Sequence, residues 1–257
     1  MRSLTDLCTD FAVNRIDDMK KRIDKILSEH NICTRSQAPK LLKSGAVKAN
    51  GACVIKNDEK FDTNFDVITV NGNPINTSEH IYIMMNKPQG VVSATQDNLS
   101  KTVIDIVPEK MRIRGIFPAG RLDKDACGLL ILTNDGEFAH NMLSPKKHVY
   151  KRYYAKTDIE ITSDMQERFK KGIVFSNGQA CLPAKLEKAQ NGCFVTVCEG
   201  KFHQVKKMLA VCGAKVLYLK RLSIGALELD DTLAEGECRE LKKEELDLLL
   251  LNKNIAI

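Results

Sequence analysis

Between Lys21 and His30 the apolar positions Ile23, Ile26 and Leu27 recur at helical spacing, with basic residues on the opposite side. The pattern predicts a short helix. "TRSQAPKLLKSG" predicts a second one, capped by Thr34 or Ser36 and ended by Gly45. The period then changes. "AVKANGACVI" and "DVITVNGNPI" each set alternating residues around Asn-Gly, at Asn50-Gly51 and Asn71-Gly72, the sequence sign of a tight hairpin. "NTSEH" at residues 76–80 is polar and suits a linker. From Ile81 onward, strand-like runs ("IYIMMNK", "GLLILT", "YYAKTD", "CFVTVCEG", "KVLYLKRLSIG") alternate with helical ones ("GEFAHNML", "TSDMQERFKKG", "KFHQVKKMLAVCG", "KKEELDLLLL"). Asn177-Gly178 and Asn191-Gly192 add turns. The fold class predicted is α+β: a small helix-pair and hairpin domain over residues 19–77, then a larger domain over residues 78–257 with a mainly antiparallel mixed sheet flanked by helices. Residues 1–18 precede that domain and read as an N-terminal extension.

Composition narrows the class. The 257 residues are 43% hydrophobic and 28% charged, as in a soluble globular protein with a real core. No apolar run reaches the ~18 residues of a membrane helix, and the acid-bearing start lacks the layout of a signal peptide. The expectation is a cytoplasmic protein without a membrane partner. Nine scattered cysteines without a CxxC pair read as reduced thiols rather than a disulfide framework or zinc site. The net charge of +6 is unevenly placed. Lys20 to Asn50 holds eight Lys or Arg against two acids, and Lys201 to Arg221 holds six with no acid. Two such patches point to a polyanion, nucleic acid first, although each alone could be a solvated helix face.

The usual catalytic signatures are missing: there is no GxxxxGK[ST], HExxH or GxSxG. What stands out is "AGRLDKDACGLLILTNDG", Ala119 to Gly136, where three acids surround an apolar strand, Gly128 to Thr133. Asp135, in Asn134-Asp135-Gly136, reads as turn chemistry. Asp123 follows a tight Pro118-Ala119-Gly120 loop with Arg121 two residues before it. A carboxylate beside a buried cation stays ionised and can act as nucleophile or base, but spacing alone ranks an ordinary ion pair equally. A rival is metal binding, since Asp123 and Asp125 at i and i+2 would share one face of a strand.

Two resemblances go further. "RIDKIL", "TRSQAPKLLKSGAVKANG" and "DVITVNG" resemble the alpha-L RNA-binding module first seen in ribosomal small-subunit protein S-four. The resemblance implies that Arg22, Lys25, Arg35, Lys40 and Lys43 face an RNA backbone. "FPAGRLDKDACGLLILTNDGEF" resembles the active-site motif of ribosomal RNA pseudouridine synthases. "HVYKRYYAK" and "VCEGKFHQVKKMLAVCGAKVLYLKRLSIG" resemble two later motifs of the same family, in the same order. The "GKFHQVKKM" form resembles the small-subunit (16S) branch.

What this implies is an isomerase that converts a uridine in 16S rRNA to pseudouridine. Asp123 would be the catalytic carboxylate. Arg121 would fill the gap left by a flipped base, Tyr153 stack on the uracil, Lys206 pair with the aspartate, and Leu219 pack under the base. The strand Gly128–Thr133 would help line a dry pocket. From spacing alone Tyr153 and Tyr154 are equivalent, and His203 stays unassigned. Ala126-Cys127 and Arg152 depart from the family pattern, where Thr or Ser are more usual. The resemblance implies no cofactor and no metal, and a monomer acting on rRNA within a partly assembled small subunit. Action on 23S rRNA, or a non-catalytic RNA-binding assembly factor, are the alternatives.

Overall fold

A computed structural model describes residues 20–63, 65–75, 77, 80–144 and 147–251; the expected extension over residues 1–18 lies outside them. The described chain forms two compact units. One runs to His80 and includes Glu109–Gly115; the other comprises Ile81–Pro108 and the chain from Ile116.

In the first unit β1 (Lys20–Arg22) leads into α1 (Ile23–Glu29), followed by α2 (Ala38–Lys43). Then come β2 (Val47–Ala49), β3 (Ala52–Cys53), β4 (Lys60–Asp62), β5 (Ile68–Val70) and β6 (Asn73–Pro74). Strands β3-β2-β5-β6 form one antiparallel sheet, and β1 pairs with β4. Both Asn-Gly pairs sit at hairpin turns with positive φ at each residue (50° and 85°; 51° and 80°), as a type I′ turn requires. Ile23 and Leu27 of α1 pack with Leu42 of α2 and with Val47 and Ile68 of the sheet, which is why the apolar spacing is helical and then alternating. The cap differs from expectation. Gln37 precedes α2, its side-chain oxygen accepts the Thr34 N–H, and the Thr34 and Ser36 hydroxyls bond each other. Pro39 in the first turn has no N–H to cap.

The second unit is built on a nine-stranded sheet. Its strands are β7 (Tyr82–Lys87), β8 (Phe117–Ala119), β9 (Cys127–Thr133), β10 (Lys151–Thr157), β11 (Lys185–Ala189), β12 (Gly192–Val197), β13 (Val216–Ile224), β14 (Leu227–Glu228) and β15 (Cys238–Glu240). Its helices are α3 (Gly136–Leu143), α4 (Ser163–Lys171), α5 (Gln204–Val211) and α6 (Lys243–Leu250). The order is β11-β12-β10-β13-β9-β7-β15, with β14 on β13 and β8 on β9. Pairing is antiparallel except where β13 runs parallel to β9. β9 is buried along its whole length, hence its unbroken apolar run. Leu129 and Ile131 join a core with Ala139 and Met142 of α3 and Leu249 of α6. Asp135 is the N-cap of α3 rather than a simple turn residue: its carboxylate accepts the Phe138 N–H at 2.9 Å and the Tyr82 hydroxyl at 2.6 Å. No described helix is long and apolar enough to cross a membrane.

Candidate active site

Residues 121–126 form a loop that delivers the chain into β9, and the last residue of β7 with the segment after it holds that loop. Five consecutive loop carbonyls are occupied. Ser93 Oγ donates to Leu122 O (2.9 Å), the Gly90 N–H to Lys124 O (2.7 Å) and Gln89 Nε2 to Asp125 O (2.9 Å). Lys87 Nζ donates to Asp123 O (3.1 Å), Ala126 O (2.8 Å) and its neighbour Pro88 O (2.9 Å). The Leu122 N–H returns a bond to Ser93 Oγ. Lys87 is fully buried. Burial, opposed by nearby acidic groups, lowers its pKa from an ordinary value near 10.5 to about 8.

Lys87→Met is therefore expected to remove the shared donor of three carbonyls, of which Asp123 O keeps only the Ala126 N–H, and cost about 2–4 kcal/mol. The sign of the pH dependence follows. Between about pH 8 and 10.5 the unfolded chain holds a proton that folded Lys87 has released, so wild-type stability gains with pH across that window. The variant lacks this increment, so its deficit widens. Denaturant unfolding at pH 7 and pH 9.5 checks both points, and an unchanged midpoint would refute the clamp.

Asp123 thus lies with its backbone fixed and its carboxylate at a pocket of about 530 Å³, the size of a small-ligand site. Its Oδ2 is 3.1 Å from Lys206 Nζ, and its Oδ1 is 3.5 Å from His203 Nε2. Lys206 also meets Asp125 Oδ1 at 2.5 Å. Burial works against the Lys206 ammonium, yet its bonds to Asp125 and Asp123 raise its pKa overall. The bond from Lys206 lowers that of Asp125. His203 precedes α5 with φ of 54°, a strained backbone for a non-glycine residue, and its ring stacks on exposed Phe202. Gln204 fixes the start of α5: its side chain accepts the Lys201 N–H and donates to Glu199. The remaining wall includes Gly120, Arg121, Tyr153, Glu199, Leu219 and Arg221.

Arg121, Asp123, Tyr153 and Leu219 thus all line one pocket, with Lys206 behind the aspartate. The two adjacent tyrosines separate. Tyr153 is the cross-strand partner of Arg221 and lines the pocket, whereas the Tyr154 hydroxyl donates to the Gln190 and Asn191 carbonyls.

Three expectations need correction. Arg121 is exposed and does not ion-pair with Asp123; the cation there is Lys206, brought by α5. Asp123 and Asp125 lie in a loop, not on a strand face, and the space between their carboxylates holds the Lys206 ammonium. Among the described residues no three His, Cys, Asp or Glu side chains converge as metal ligands would. Finally, no residue of Gly128–Thr133 lines the pocket, because that strand is covered on both faces and supports the loop from behind.

Sequence reasoning missed the Lys87–Ser93 clamp. It also missed the burial of Lys151 and Arg221, which lie in the pocket wall.

All five basic residues expected on an RNA face, Arg22, Lys25, Arg35, Lys40 and Lys43, are exposed. Arg22 and Arg35 both reach the buried Asp24, at 3.1 and 3.4 Å, and Lys25 lies 3.7 Å from Glu29.

Comparison with known proteins gives the family of the chain. The family described as RNA pseudouridylate synthase matches residues 81–211, the stretch that carries Asp123, Tyr153 and Lys206. An uncharacterised RNA pseudouridine synthase of Bacillus subtilis, YtzG, is 45% identical over 234 residues, covering 89% of this chain and 98% of that one. The ribosomal small subunit pseudouridine synthase A of Vibrio cholerae is 38% identical over 233 residues (88% and 97%). The ribosomal large subunit pseudouridine synthase B of Bacillus subtilis is 35% identical over 236 residues (89% and 95%). A crystal structure of a pseudouridylate synthase superposes with a TM-score of 0.62 at 35% identity, covering 89% of this chain and 99% of that one. A family match across the pocket loop, and relatives matched almost end to end, make this chain a member of the RNA pseudouridylate synthase family.

Proposed function

We propose that this enzyme converts a uridine of 16S rRNA to pseudouridine, with Asp123 as the catalytic carboxylate. The observation that carries the reading is one contact: Asp123, fixed by its backbone and 3.1 Å from Lys206 Nζ, opens onto a pocket of about 530 Å³. Isomerisation breaks the C1′–N1 bond, turns the base and rejoins it through C5. A stacked uridine cannot do this in place, so it must flip out, at a cost of a few kcal/mol. Arg121, exposed at the pocket, would fill the vacated space. Tyr153 offers a flat face worth ~1–3 kcal/mol per stacked base. Leu219 would pack under the base and keep water from it. Pseudouridine has the same composition as uridine, with one proton lost from C5 and one gained at N1, so the reaction calls for no co-substrate.

The 16S target is favoured by the "GKFHQVKKM" form at residues 200–208 and by the likeness to small-subunit synthases. The large-subunit relative keeps 23S rRNA as the competing outcome. In this reading the first unit is an alpha-L module whose Arg22, Lys25, Arg35, Lys40 and Lys43 contact phosphates and position the RNA without reading its sequence. The enzyme would act as a monomer in the cytoplasm, on rRNA within a partly assembled small subunit. Pseudouridine mapping of rRNA from cells with and without the gene tests the function. One position lost from 16S rRNA is expected. A position lost from 23S rRNA moves the target, and an unchanged map refutes the enzymatic reading. Incubating purified protein with free 16S rRNA and with partly assembled particles separates the two substrates.

A further inference from the structure

The proposed mechanism leaves two buried cations of the pocket wall without a role. Arg221 is 4% exposed and Lys151 8%. Arg221 Nε donates to Leu129 O at 2.7 Å, and its Nη1 reaches Arg121 O at 3.5 Å. Its buried Nη2 has no hydrogen-bond partner among the described residues. Lys151 Nζ, with three protons to give, donates to Val149 O at 2.8 Å. Among the described residues neither makes an ion pair, in contrast to Lys206 with its two carboxylates. Glu199, also in the wall, is already engaged by Lys201, Gln204 and the Leu182 N–H. Burial and then the repulsion of Arg221 bring the pKa of Lys151 down to about 8. A buried donor left without an acceptor is costly, and in a native protein such a group calls for an explanation. Arg221 and Lys151 both line the cavity, so a ligand seated there can offer acceptors that the described protein does not.

We propose that Arg221 and Lys151 form an anion seat for the uracil once it has left the ribose, acting on its carbonyl oxygens. This rests on Asp123 performing the isomerisation in this pocket. When C1′–N1 breaks, the bonding pair stays with the base, and the negative charge spreads from N1 to O2 and O4. The electron-poor ribose is satisfied by Asp123, which bonds C1′ or takes a proton from C2′. After the base turns, C5 bonds to C1′ and the carboxylate is restored. The C5 proton goes to a base, and N1 takes one up, so charge and atoms balance. Uridine is neutral and the detached uracil is not. Two cations buried in the pocket wall therefore favour the charged state over the bound substrate, the difference that accelerates a reaction.

The test compares Arg221→Gln and Lys151→Gln with wild type on RNA carrying uridine or 5-fluorouridine at the target position. Fluorine withdraws electrons and stabilises the departing anion by itself. The readout is single-turnover loss of the N-glycosidic nucleoside, with RNA affinity measured alongside. Each variant is expected to slow the uridine substrate by about 10²–10³-fold, to slow the fluorinated one distinctly less, and to leave RNA affinity unchanged. Arg221→Lys, which keeps the charge, is expected to recover part of the rate. Equal losses on both bases, no loss, or a loss of affinity alone (a phosphate contact) overturns the proposal. If a Gln variant does not fold, Arg221→Lys and Lys151→Arg carry the same comparison through their shifted donors. A wild type without product, or one indifferent to Asp123→Asn, instead overturns the underlying reading and this proposal with it.

Discussion

Asp123→Asn is expected to lower pseudouridine formation by about 10⁴-fold or more, the scale seen when a group that bonds the substrate is removed from its site. The same protein should bind target RNA about as well as wild type, because affinity comes mainly from phosphate contacts spread over the surface. It should also fold normally. The backbone of Asp123 is what the loop depends on, through Lys87 and the Ala126 N–H. Among the described residues its carboxylate pairs with Lys206 and His203, and Lys206 keeps Asp125 when the charge is lost. A thermal midpoint within about 2 °C of wild type is therefore expected, corresponding to less than 1 kcal/mol in a chain of this size. Single-turnover assays on rRNA, filter binding and thermal unfolding make the three measurements. Retained activity would remove Asp123 from the chemistry. Lost binding would instead mark the acid as structural. A protein that only bound RNA would show no dependence on this carboxylate at all.

What the chain discloses by pattern, and what it hides, divides along a physical line. Elements whose signal is local came through. Helix α3 spans the residues that its spacing predicts, and both Asn-Gly pairs make turns with positive φ. Features decided by assembly did not. Tyr153 and Tyr154 are indistinguishable until β10 is set against β13, with a register shift at Arg152/Tyr153 that helps decide which ring meets the pocket. Nothing local in the sequence marks Lys87, Lys151 and Arg221 as buried, since lysine and arginine nearly always lie at the surface. Their burial follows from strands that meet only in the finished sheet. The clamp on the Asp123 loop is invisible for another reason. Its acceptors are backbone carbonyls, which every residue has. Family resemblance pointed to Asp123, Tyr153 and Lys206, but it did not show that Lys206 is shared with Asp125.

Gly128→Ala is expected to be among the most damaging single substitutions in the second unit, although it adds one methyl group. Gly128 sits in β9 opposite Arg221, where β9 runs parallel to β13, with Lys87 of β7 on its other side. Its φ is +99°, a region that side chains rarely enter, and an added Cβ would lie 2.2 Å from the Arg221 carbonyl oxygen and 2.8 Å from its nitrogen. The obstacle is backbone on a fully buried strand, so no rotamer change relieves it. Backbone strain and overpacking together predict a loss of about 4 kcal/mol or more, or a thermal midpoint lower by roughly 10 °C. Activity should fall beyond what unfolding explains, because the clash displaces Arg221, whose Nε is anchored on Leu129 of the same strand. Gly136→Ala is the control. A Cβ there meets nothing within 4 Å, and the residue opens α3 without positive φ, so alanine should be neutral or mildly stabilising. Thermal unfolding of the two variants side by side decides the matter. If Gly128→Ala melts with Gly136→Ala, then β9 and β13 can separate at no cost. The close approach that seats Arg221 against the pocket would then be a dispensable feature of the sheet.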